Sequence, residues 1–77
     1  MNISIKYFGL IAEVTQCGEE TINFSKGELK ELLDYLYSKY PSLKEKDFQV
    51  AQNQELISNK TRLTGEELAF LPPFAGG

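Results

Sequence analysis

The stretch SKGELKELLDYLYSKYP, residues 25–41, decides the fold class, because it sets one amphipathic helix inside a chain otherwise patterned for strands. Leu29, Leu32, Leu33, Leu36, Tyr37 and Tyr40 recur at three- and four-residue steps, and Lys30, Glu31, Asp34 and Ser38 fill the opposite side. Ser25 and Glu28 stand at capping-box spacing, which predicts that the Ser25 hydroxyl accepts from the Glu28 amide while the Glu28 carboxylate reaches back to the Ser25 amide. Pro41 cannot continue the helix. The tyrosines read as core packing with hydroxyls reaching water. A lone apolar stripe of this kind has to be buried against a sheet.

Residues 2–8 alternate, with Ile3, Ile5 and Tyr7 on one face and Asn2, Ser4 and Lys6 on the other, the period of a half-buried strand. In residues 10–15 the apolar positions Leu10, Ile11 and Val14 have helical spacing but span too few residues to stand alone, so the segment reads as a loop that could hold one helical turn. After Gly18, Glu20, Ile22 and Phe24 alternate with Glu19, Thr21 and Asn23 in a second strand returning antiparallel to the first. Beyond the charged connector 44–47, Phe48, Val50 and Gln52 alternate, Asn53-Gln54 turns the chain, and residues 55–58 return as a short strand. Residues 59–64 read as polar linkage. Leu68 to Leu71 forms a final strand that Pro72-Pro73 ends, since neither proline can donate to a ladder.

The chain has 77 residues, enough for one domain, and a core this small often needs help from a disulfide, a metal or a partner. One cysteine and no histidine exclude an internal disulfide and the usual zinc or iron–sulfur ligand sets, which leaves a partner. A net charge of −3, with lysines scattered, opposes binding to nucleic acid or anionic membrane. No stretch approaches the ~20 apolar residues of a membrane span, and the chain opens directly into a strand, which fits a reducing cytoplasm.

Side-chain chemistry has little to work with. Without histidine there is no Ser-His-Asp or Cys-His arrangement, and no glycine-rich loop has phosphate-cradle spacing. Nothing near Cys17 in sequence activates its thiol. Glu19/Glu20 and Glu66/Glu67 are adjacent pairs that split between opposite faces and read as solvated charges. What remains is Leu71-Pro72-Pro73-Phe74-Ala75-Gly76-Gly77, an arm stiffened by two prolines and ending in two glycines that a narrow channel could admit. Residues 1–71 are accordingly read as the domain and 72–77 as an extended arm. The arm's reactive group would be the Gly77 main-chain carboxylate.

Four blocks carry a family resemblance over essentially the whole chain: Ile3-x-Ile5-x-Tyr7-Phe8-Gly9, the leucine helix ending at Tyr40-Pro41, Val50-Ala51-x-Asn53-Gln54, and Leu68 through Gly77. Together they resemble the small sulfur-carrying subunits of molybdopterin synthase, among the ubiquitin-like sulfur carriers. The Pro-Pro-x-x-Gly-Gly ending is the most particular block. The turn Thr64-Gly65-Glu66-Glu67 departs from the family pattern, which has a further acidic residue there, so no role is carried over to it.

The resemblance, with the fold rules, implies an α+β, ubiquitin-like β-grasp: a mixed sheet of about five strands covered by one main helix. It also implies a carrier cycle in which a ubiquitin-activating-type enzyme spends ATP to adenylate Gly77. Sulfur from a persulfide donor then makes the thiocarboxylate, and the arm enters the large synthase subunit, within a heterotetramer, to build the dithiolene of molybdopterin. Phe74, Ala75 and Gly76, following Pro72 and Pro73, would thread the channel. The chain itself would bind no cofactor, and the acids and bases would belong to its partners.

The strand pattern adds a docking surface. If Leu68 and Phe70 face the core with Ile3, Ile5 and Tyr7, then Phe8, Ala69 and Leu71 turn to the uncovered side at the arm's base. Two other readings share the Gly-Gly ending: a thiamine-pathway sulfur carrier, typically shorter and without the Pro-Pro arm, and a ubiquitin-like protein modifier.

Overall fold

The computed structural model describes residues 2–25, 27–65 and 67–73. In chain order the elements are β1 (Asn2–Tyr7), α1 (Leu10–Thr15), β2 (Glu19–Asn23), α2 (Leu29–Lys39), a 3₁₀ turn (Pro41–Glu45), β3 (Gln49–Gln52), β4 (Glu55–Leu56) and β5 (Leu68–Leu71). The strands form one mixed sheet in the order β2-β1-β5-β3-β4. β1 runs antiparallel to β2 and parallel to β5, which places the last strand in the middle of the sheet. This is the expected β-grasp arrangement.

The core lies between α2 and the inner face of the sheet. Leu32 and Leu36 from α2, Ile5 from β1, and Leu68 and Phe70 from β5 are completely buried there. Phe70 is held by two rings, Tyr7 edge-on at 5.5 Å and Phe48 stacked at 5.3 Å. Leu43 of the 3₁₀ turn, also fully buried, continues the core past Pro41.

Three details differ from the sequence reading. First, residues 10–15 are a helix, not a loop: Ile11 and Thr15, one turn apart, are buried, and Gln16 closes the helix at φ 61°. Tertiary packing supplies what six residues lack by themselves.

Second, the helix cap lies three residues later than the Ser25–Glu28 box. Glu28 is the N-cap, and its backbone N–H donates to Glu31 Oε1 at 2.9 Å. The Glu31 carboxylate folds over Gly27, where a Cβ would lie 2.5 Å from Oε1. The delay follows from pairing with the far end of the chain. Leu63 donates to Gly27 O at 2.9 Å, and Glu28 bridges Arg62, so this segment is committed to an extended conformation.

Third, residues 59–64 are more than linkage. The free amides of Leu29 and Lys30 at the start of α2 donate to Thr61 O and Asn59 O, both at 3.0 Å, so the loop caps the helix with its own carbonyls. Leu63 is buried, and buried Gln52 ties the loop to β3 by donating to Arg62 O at 3.2 Å and accepting from Thr64 N at 3.1 Å. The β3–β4 turn falls at Asn53-Gln54 as expected, both residues having positive φ (55° and 67°).

Candidate functional site: the root of the C-terminal arm

The sheet fixes where Pro72 and Pro73 leave it. Because β5 is central, its end is gripped from both sides, and Phe8 N extends the parallel ladder by donating to Phe70 O at 3.0 Å. The next residue, Gly9, adopts φ 60° and ψ −137°, and a Cβ there would stand 2.8 Å from Pro72 Cγ. Glycine is therefore required twice over, by the backbone angle and by the proline seated on it. That contact joins two blocks of the sequence motif, Tyr7-Phe8-Gly9 and Leu71-Pro72-Pro73. With φ locked at both prolines, Pro72 and Pro73 leave the sheet in a direction the fold determines. Phe74, Ala75, Gly76 and Gly77 lie outside the described residues.

The predicted inner and outer faces of β5 are found in the structure. Leu68 and Phe70 are fully buried, while Ala69 and Leu71 are half-buried on the opposite face, and Phe8 is 44% exposed. Cross-strand register builds this outer face into a row, Lys6–Ala69–Ala51–Leu56, across four strands, with Leu71 beside Gln49. The two alanines leave a shallow depression bordered by Asn53, Gln54 and Glu67. Lys6 and Glu67 pair at 3.2 Å on this face.

Among the described residues, two exposed aliphatic side chains were missed from sequence: Leu56, at 62% exposure on the outer face, and Leu10, at 63% beside Pro72. Periodicity does not single out Leu10: Leu10, Ile11 and Val14 share helical spacing, and it is the burial of Ile11 and Thr15 that turns Leu10 outward.

Glu20 corrects a further expectation. It is not a solvated charge, for its side chain is only 15% exposed and anchors three groups. Tyr7 Oη and Tyr40 Oη donate to Oε2 at 2.6 and 2.7 Å, and Lys39 Nζ donates to Oε1 at 2.7 Å. The Tyr40 hydroxyl is thus spent on a carboxylate inside the protein. Burial pushes the Glu20 carboxyl upward, but the hydrogen bonds from Lys39, Tyr7 and Tyr40 outweigh it and hold the pKa below the usual value. Burial, reinforced by the Glu20 charge, raises both phenols, Tyr40 to about 12. The cluster joins β1, β2 and the end of α2, and so braces Tyr7 against Phe70 of β5, two residues before Pro72.

Cys17 is half-buried against the core, with Sγ 3.7 Å from Thr15 Oγ1. Among the described residues no group of Cys, Asp or Glu side chains could hold a metal ion, and no helix is long and apolar enough to cross a membrane.

Comparison with known proteins matches residues 5–77 to the ThiS family. The chain belongs to the ThiS family. This ThiS-family chain is 34% identical, over 84 aligned positions covering 100% of it and 99% of the relative, to the molybdopterin synthase sulfur carrier subunit of Mycobacterium tuberculosis. It is 28% identical, with full coverage of both chains and a TM-score of 0.68, to a chain in the complex of subunits 1 and 2 of the molybdopterin-converting factor from Helicobacter pylori. It shares its fold with SAMP1 from Haloferax volcanii, at a TM-score of 0.80, 22% identity and full coverage of both chains.

Proposed function

We infer that this protein is the sulfur carrier subunit of a molybdopterin synthase, with the Gly77 carboxylate as its cargo point. The observation that carries the reading is the full-length relationship to the mycobacterial carrier subunit, joined to an arm root whose geometry is built by the family blocks themselves.

The chemistry follows from what a carboxylate lacks. It is a poor electrophile until an adenylating enzyme of the ubiquitin-activating type joins it to AMP, releasing pyrophosphate from ATP. A persulfide's terminal sulfur then displaces AMP to give an acyl disulfide, and a thiol releases the thiocarboxylate from it. The loaded arm, with Phe74, Ala75 and Gly76 in the channel, enters the large subunit, where the sulfur attacks the pterin precursor and hydrolysis frees the carboxylate again. Two transfers make the dithiolene. This chain contributes reach and positioning, and catalytic groups come from its partners in a cytoplasmic heterotetramer.

Reach limits the arrangement. Four residues, 74–77, span at most about 14 Å. The domain therefore has to dock against whatever encloses Gly77, and the outer apolar face at Phe8, Ala69 and Leu71 is the surface assigned to that docking.

The test is intact mass after incubation with the adenylating enzyme, ATP and a persulfide donor, followed by addition of large subunit and precursor. Exchange of one oxygen for sulfur, lost again on adding precursor as the dithiolene forms, is the expected result. Conjugation to a lysine would instead identify a protein modifier, and a thiocarboxylate that serves only thiazole formation would identify a thiamine-pathway carrier. A chain extended by one residue beyond Gly77 should not load.

A further inference from the structure

We propose that the groove on the other side of the arm root, between Leu10 and Pro72-Pro73, seats an aliphatic side chain of the large synthase subunit with a basic side chain beside it. The proposal rests on the carrier reading above and names a second contact surface for the same partner.

The groove has a volume of about 300 Å³, room for one large side chain, and is lined by Leu10, Ile11, Pro72 and Pro73 with residues 45–47 at its rim. Leu10 is the most exposed large apolar residue described, at 63%, and Ile11 forms the floor at 1%. Nothing in the monomer's folding requires an apolar side chain at Leu10, since Ile11 and Thr15 already supply the inward stripe of α1.

Two observations say what covers it. One is position: Pro72 and Pro73 are both a wall of the groove and the start of the arm, so a protein enclosing Gly77, at most about 18 Å of chain beyond Pro72 for five residues, stands over the groove. A standard interface takes about 800 Å² from each partner, close to a sixth of this chain's 4976 Å² surface, far more than the arm tip offers. A footprint of that size centred on the root extends over the Phe8–Leu71 face on one side and the Leu10 groove on the other.

The second observation is charge. Glu45 and Asp47 lie on the rim and Glu13 on the adjoining surface beside Leu10, with Lys46 the one base among the described lining residues. Among the described residues, none of these three carboxylates is in an ion pair. An apolar seat with an acidic rim complements an aliphatic side chain flanked by arginine or lysine, and disfavours an acidic or uncharged polar segment.

The experiment measures binding of the full chain to its cognate large subunit by calorimetry, with circular dichroism to confirm folding. Leu10→Asp changes an exposed helix-start position that tolerates an acid, so the domain should stay folded while Kd rises at least tenfold. The Glu45→Lys/Asp47→Lys variant should weaken binding severalfold at low salt and flatten its salt dependence, whereas Lys60→Glu, on a remote turn, should stay within twofold of wild type. A photo-cross-linker at position 10 should capture the large subunit at an aliphatic residue next to a basic one. If Leu71→Lys weakens binding and Leu10→Asp does not, the groove proposal falls while the carrier reading stands. If the wild-type chain does not bind the large subunit, both fall. Cross-linking only to a second copy of this chain would also overturn the proposal.

Discussion

Replacing Glu20 by alanine should be among the most damaging single changes at a partly buried strand position in this protein. The carboxylate accepts from Tyr7, Tyr40 and Lys39 at 2.6–2.7 Å. Hydrogen bonds to charged groups contribute about 1.5–3 kcal/mol each, but the three share one acceptor and do not add. Lys39 is 42% exposed, so its ion pair is screened and supplies about 0.5 kcal/mol. Tyr7 decides the outcome: the residue is 3% exposed, and without Glu20 its hydroxyl loses the acceptor the fold provides, a loss of about 1–3 kcal/mol.

Together these give about 3 kcal/mol for Glu20→Ala, and about 1–2 kcal/mol for Glu20→Gln, which keeps an acceptor for the tyrosines and loses the charge. For a domain of this size 3 kcal/mol corresponds to a fall in Tm of roughly 12–24 °C. The pH dependence has a definite sign. The folded-state pKa of Glu20 lies below its unfolded value, so its charge-dependent stabilisation is fully present above the unfolded pKa, about 4.3, and disappears as pH falls through the folded pKa. Urea unfolding at pH 7 and at successively lower pH should show the gap between wild type and Glu20→Gln closing in acid. A Glu20→Ala protein within 0.5 kcal/mol of wild type at pH 7, or a Gln gap independent of pH, would refute the reasoning.

Other predictions concern the arm and its surroundings. Gly9→Ala should destabilise the domain by about 1–2 kcal/mol, since φ 60° is strained for alanine and its Cβ would meet Pro72, and it should also slow sulfur transfer by redirecting the arm, a defect that thermal melts alone would miss. Phe70→Ala should cost about 3–5 kcal/mol in urea unfolding because a fully buried ring between Tyr7 and Phe48 is removed, whereas Leu71→Lys should leave the monomer's stability nearly unchanged and weaken partner binding by about 2 kcal/mol. Cys17→Ser should load and transfer sulfur at the wild-type rate in single-turnover assays, since the thiol's polar contact among the described residues is Thr15 and reaction is assigned to Gly77.

Local periodicity over the longer elements, and chemical inventory, were legible in the residues themselves. Alternation in residues 2–8 and 68–71 and the leucine stripe of α2 allow one inward face each, so strands, helix and the two sides of β5 were legible without coordinates. Absence of histidine and the Pro-Pro-x-x-Gly-Gly ending likewise directed attention to the chain end. Tertiary structure alone decided the contacts between residues far apart in the chain. A capping box looks the same at Ser25 or at Glu28 until pairing of Gly27 and Glu28 with Arg62 and Leu63 holds the preceding segment extended. Residues 59–61 look like linkage until their carbonyls meet the free amides of α2. Glu20 looks solvated until β1 and the end of α2 bring two phenols and an ammonium to it from 13, 20 and 19 residues away. Periodicity reports which face a residue takes. It carries no information about which distant polar group waits on that face, and hydrogen bonds, unlike apolar burial, depend on that identity and on its distance.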